Sequence, residues 1–115
     1  MNVPIKFIAL TSCITLLALG GCHSPVVNAT IVNQSGAQVQ LVELDYPSAS
    51  YGVSLLDSGA SYPYHFEVHG SGKLHISFQD ASGGAHQSDG PQLKEGDQGT
   101  LRVTIGAGDT VQWQR

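Results

Sequence analysis

Four residues form the one constellation in this chain whose types and spacing suit metal chemistry: His65, Glu67, His69 and His75. The first three sit at alternate positions of a segment whose other positions are Tyr62, Tyr64, Phe66 and Val68, so they share the outward face of a strand. A Gly70-Ser71-Gly72 loop predicts a hairpin in which Val68 faces Leu74, Phe66 faces Ile76 and Tyr64 faces Phe78. That register sets His75 opposite Glu67, with Cβ atoms about 4.5–5.5 Å apart. Glu67 and His75 can then share a cation, with His65 or His69 as a third ligand. Both cannot join, because they lie about 13 Å apart along a strand. Imidazole plus carboxylate suits zinc or copper(II). The plainer reading is a solvated sheet face, since nothing in the sequence supplies the outer hydrogen bonds that orient metal-bound histidines.

Other chemistry has less to build on. No serine lies in a Gly-x-Ser-x-Gly elbow, and no motif pairs a nucleophile with a base. Gly70-Ser71-Gly72 and Gly83-Gly84 precede no helix, so they are turns and not phosphate cradles. The carboxylates are scattered, which gives a glycosidase pair no positive support. These features predict a protein that is not an enzyme. A binding surface is the remaining option, and Tyr46 and Tyr51, flanking a serine-rich loop, are the aromatics expected to be exposed there. Tyr62, Tyr64 and Trp113 share the parity of apolar neighbours and read as core.

The elements that must position these residues are strands. From Val26 onward the apolar period is two: Val27, Ala29 and Ile31, then Val39 and Leu41. Val42, Leu44 and Tyr46 follow on the opposite parity, and a parity switch within one strand predicts a bulge or a change of buried face. Tyr51, Val53 and Leu55 make a short third strand closed by Asp57-Ser58-Gly59, and His86 to Gln92 reads as a polar edge strand or loop. Leu101, Val103 and Ile105 precede Gly106-Ala107-Gly108-Asp109, then Val111 and Trp113. A four-residue loop there would set Ile105 against Thr110. The pattern therefore predicts a bulge near Gly106 or Gly108, a five-residue loop with Val103 opposite Trp113, or strands in different sheets. Seven or eight short strands with regular turns and no helical stripe predict an all-β fold. The leading form is a single antiparallel β-sandwich of immunoglobulin-like architecture.

The N-terminus has a different character. A basic start ending at Lys6 leads into an apolar run from Phe7 to Leu19, too short for a span of roughly 20 residues, and then Leu19-Gly20-Gly21-Cys22. This tetrad resembles the lipobox of bacterial lipoproteins, with Gly20 where that family usually carries Ala, Ser or Thr. The resemblance implies a signal peptide over 1–21, lipidation of Cys22 as the mature N-terminus, and a tether over 22–25 before a domain at 26–115. It also implies three acyl chains, and so permanent membrane attachment. His23 after the cysteine, in place of Asp, implies the outer membrane under the enterobacterial sorting pattern. The Tyr46-to-Gly52 loop and the Gly59-to-Asp80 segment are similar to those of small immunoglobulin-like sandwich lipoproteins, a resemblance that brings no activity with it.

Charge and cysteine content bound the partners. Lys6 leaves with the leader, so four basic residues face nine acidic ones and the net charge goes from −4 to −5. That balance, without a basic cluster, excludes nucleic acid as an expected partner. Cys13 lies in the leader and Cys22 carries lipid, so no disulfide is expected and the domain must be held by packing. The expectation is a lipid-anchored envelope protein, non-catalytic and without a cofactor, contacting an envelope protein or a glycan. The alternative is a zinc or copper accessory lipoprotein built on the hairpin face.

Overall fold

β-Branched and aromatic residues at alternate positions, broken every few residues by glycine, proline or aspartate turns, leave this chain no means of burying apolar area except as paired strands. The computed structural model describes residues 26–115 and contains eight strands. These are β1 (Val26–Asn33), β2 (Val39–Tyr46), β3 (Ala49–Leu56), β4 (Ser61–Glu67), β5 (Gly72–Gln79), β6 (Ala85–Leu93), β7 (Gly99–Ile105) and β8 (Val111–Gln114). The signal peptide, Cys22 and the 22–25 tether expected from the sequence lie outside the described residues. Among the described residues no helix is long and apolar enough to cross a membrane.

The strands form two four-stranded sheets, ordered β4-β1-β7-β8 and β3-β2-β5-β6. The all-β sandwich is therefore the fold. Antiparallel β1–β4 and β2–β5 pairs give these four strands the adjacency of the B, C, E and F strands of immunoglobulin-like sandwiches. One pair departs from the antiparallel expectation: β7 lies parallel to β1, with Ala29 beside Leu101 and Ile31 beside Val103. β7 follows β6 through a turn at the end where β1 begins, so it runs in the same direction as β1 when it fills that place.

Inward side chains of both sheets make one core, including Val27, Ile31, Val42, Leu44, Phe66, Leu74, Ile76, Phe78, Val103 and Ile105. The two open sides are closed by aromatics. On one side Tyr51 of β3 packs on Tyr64 of β4 with ring centroids 3.9 Å apart. On the other, Trp113 of β8 lies over Gly90 of β6 and donates its Nε1–H to Ser88 Oγ at 3.1 Å. A Cβ at Gly90 would sit 2.6 Å from the Trp113 ring, so the close approach of β6 and β8 requires glycine there.

Several expectations are met in detail. β2 carries a bulge at the parity switch: its register against β5 shifts between Gln40 and Glu43, Leu41 takes φ 47°, and Leu41 turns outward while Val39 and Val42 stay buried. The β7–β8 connection is the five-residue loop, with Val103 opposite Trp113 and Ile105 opposite Val111. β6 is an edge strand.

Others are corrected. Segments 61–67 and 72–79 do not form a hairpin; β4 pairs with β1, while β5 pairs with β2 and β6. Alternation states which face of a strand is buried, not which strand lies beside it, and two strands on opposite walls of one core show the same matched parities. The chain between them crosses from sheet to sheet, held by the Gly96 N–H to Val68 carbonyl bond at 3.1 Å. In β3 it is Leu56 that is buried, opposite buried Val39, whereas Leu55, opposite Gln40, is 53% exposed; the β2–β3 register runs past the bulge without a shift, so β3 changes its inward parity together with β2.

Successive strands alternate in direction, so the turns divide between two ends. One end gathers 34–38, 57–60, 80–84 and 106–110. The other gathers the start of β1 with 47–48, 68–71 and 94–98. Asn33, fully buried, ties the first end together. Its Nδ2 donates to the Ala37 and Leu56 carbonyls at 2.8 and 2.9 Å. Its Oδ1 accepts from Ser35 N–H and Oγ–H at 3.0 and 2.7 Å.

Candidate functional site

The first end of the sandwich brings together three residues that are far apart in sequence: Asp80, His86 and Asp109. Asp80 opens the β5–β6 turn, and that turn fixes its carboxylate. Oδ1 accepts from Ser82 N–H at 2.9 Å, Ser82 Oγ–H at 2.8 Å and Gly84 N–H at 2.9 Å. Oδ2 is left to point at His86, whose Nε2–H donates to it at 2.7 Å. His86 lies opposite Phe78 across the β5–β6 pair, and its ring stacks on that phenylalanine at 5.1 Å between centroids with 20° between planes. Asp109 comes from the β7–β8 loop, where Gly108 and Asp109 both have positive φ, 73° and 59°. That turn aims Asp109 Oδ2 at His86 Nε2, 3.7 Å away.

One oxygen or nitrogen from each of the three residues lies within 4.8 Å of the others. The Asp80 carboxyl is held well below the usual carboxylate range, chiefly by the His86 hydrogen bond and then by the Gly84 and Ser82 donors. Asp80 and Asp109 also line a concavity of about 370 Å³ with Ser35, Gln38, Ser82 and Gly108. Two carboxylates converging on one imidazole can hold a proton or a divalent cation between them. The Ser82 hydroxyl beside them is engaged as a donor to Asp80.

The residues singled out from the sequence are placed differently. Glu67 and His69 are neighbours, with His69 Nε2 3.5 Å from Glu67 Oε1, and both are exposed. His65 lies beside Asn28 on the outer face of the first sheet. His75 belongs to the second sheet, flanked by Asp45 of β2 and Asp89 of β6, and its Nδ1 is 2.8 Å from Asp89 Oδ1. That contact holds the Asp89 carboxyl below its ordinary value. The expected shared site of His65, Glu67, His69 and His75 is therefore not assembled, because its partner strands lie in different sheets.

The expected exposed pair of tyrosines is also corrected. Tyr46 is 5% exposed, and its hydroxyl donates to the Gly70 carbonyl at 2.7 Å. It follows the inward parity of Val42 and Leu44, and a backbone acceptor at the sandwich end satisfies its hydroxyl. Tyr51 is half-buried against Tyr64 and Phe66. A second concavity of about 310 Å³ lies over Leu41, Glu43, Gly52 and Ser54, includes none of the three clustered residues, and offers a single carboxylate.

In the sequence, Asp80 stands just before the Gly83-Gly84 turn, Asp109 closes the Gly106-Ala107-Gly108-Asp109 turn and His86 begins a polar edge segment, so each has a local explanation. Parity offers a signal for His86 alone, since inward positions of β6 carry His86, Ser88 and Gly90 before Leu93 restores an apolar residue.

No family model matches the sequence, and no curated protein is significantly similar to it. Among solved structures, the chain is similar to an NMR structure of a protein from Eubacterium rectale. The TM-score is 0.56 at 16% identity, over 77% of this chain and 86% of that one. At that identity the likeness concerns the fold alone.

Proposed function

We propose that this is a lipid-anchored, non-catalytic module of the bacterial cell envelope that makes contact with other envelope components. The observation that carries the reading is Leu19-Gly20-Gly21-Cys22 at the end of a short apolar run with a basic start. The fold gives the reading an orientation. β1 begins at Val26, only a few residues after Cys22, so the end of the sandwich holding Val26, Glu67, Gly72 and Leu93 would face the bilayer. Eight-residue strands at about 3.3 Å per residue then carry the Asn33, Asp80 and Asp109 end roughly 25 Å outward. That outer end displays four turns, three of them bearing a carboxylate in Asp57, Asp80 and Asp109, a surface suited to a partner protein or a glycan.

Photocrosslinking in living cells tests this. A photoreactive residue at Ser58 or Ala107, on the outer end, is expected to yield discrete adducts with envelope components, and one at Ser71 is not. Adducts confined to Ser71, or none from the outer positions in membrane-associated protein, would contradict the proposal.

A further inference from the structure

We propose that Asp80, His86 and Asp109 form a binding site for a first-row divalent cation such as zinc. The inference is independent of the anchoring proposal. The three donors come from the β5–β6 turn, from β6 and from the β7–β8 loop, and the fold alone unites them. Tetrahedral zinc with bonds of about 2.0–2.2 Å sets its ligand atoms roughly 3.3–3.5 Å apart. The His86 Nε2 distances to Asp80 Oδ2 and Asp109 Oδ2, 2.7 and 3.7 Å, bracket that edge length. The shorter distance has to open by about 0.6–0.8 Å and the longer to close by a few tenths, within the reach of side-chain rotation for three atoms that already lie within 4.8 Å of one another.

Charge argues in the same direction. Each carboxylate faces the imidazole, and no lysine or arginine forms an ion pair with either of them among the described residues. A divalent cation between two anions this close would be attracted by both. The outer contacts that orient metal ligands are also present. Ser82 and Gly84 fix Asp80, and Phe78 fixes the plane of His86. Binding would displace the Nε2 proton and leave a fourth position open toward the concavity, where water or a donor from a partner can enter.

Metal-stripped, untagged full chain, kept in detergent if it purifies with membranes, should be titrated with zinc by calorimetry. The expected result is one equivalent bound at about micromolar affinity or tighter, with a rise in the unfolding temperature. Asp109→Asn is the sharpest variant, because asparagine tolerates positive φ and keeps the loop while removing the anionic ligand. It should weaken zinc at least about tenfold, as should His86→Ala, while His75→Ala binds as wild type does. Circular dichroism shows whether each variant is folded. Absence of saturable binding in the wild type would overturn the site, as would binding unchanged in folded Asp109→Asn.

Discussion

Asp80 shows how much of this protein's end structure hangs on single side chains. One carboxylate organises a turn through Oδ1 and holds a histidine through Oδ2. A carboxyl whose folded pKa is depressed contributes stability that is fully present above its unfolded value of about 3.9. That contribution is lost as pH falls from there toward the folded value. Asp80→Asn should therefore lower stability at neutral pH and flatten the loss of stability below about pH 4, as read by denaturant unfolding at a series of pH values. The Asp89 carboxyl is also depressed, through His75, so some acid slope should remain. An acid slope identical to that of the wild type would remove Asp80 from the account. Asp80 and Asp109 were legible only as turn formers, because turn chemistry and ligand chemistry use the same residue type. What distinguishes them is a contact across three segments, which no local pattern encodes.

At the scale of elements, the parity switch in β2 was readable because a period of two admits no other way to bury both Val39 and Val42. The five-residue β7–β8 loop was readable as one of three ways to avoid setting Ile105 against Thr110, and it is the one that sets Val103 across from Trp113. The supposed β4–β5 hairpin failed because a short glycine loop between matched parities fits a turn within a sheet and a crossing between sheets equally well. The bulge can be tested directly at Leu41, whose left-handed backbone costs a side chain about 1–2 kcal/mol. Leu41→Asn should be neutral or stabilising by up to about 1 kcal/mol, since asparagine tolerates that conformation and exposed leucine contributes little. Leu41→Val should destabilise by a similar amount, because a β-branched residue is strained there. Chemical denaturation compares the two. A regular β2 ladder would reverse the order, since valine is the better strand residue.

At the scale of the whole molecule, strand count, turn spacing and the absence of a helical period made the two-layer fold legible. The parallel β1–β7 contact and the sheet order depend on which strands meet across long sequence separations, and alternation is silent on that. The same limit hid the histidine cluster, which exists only because the ends of β5, β6 and β7 reach the same end of the sandwich. The central proposal places that end outward and the opposite end against a bilayer, and it rests on Cys22. Intact-mass and peptide mass spectrometry of the protein purified from its producing bacterium tests it most directly. The predicted result is a mature chain that begins at Cys22, with the added mass of a diacylglyceryl group and an acyl chain on that residue. A mature chain with an unmodified N-terminus, or one beginning at another residue, would contradict it.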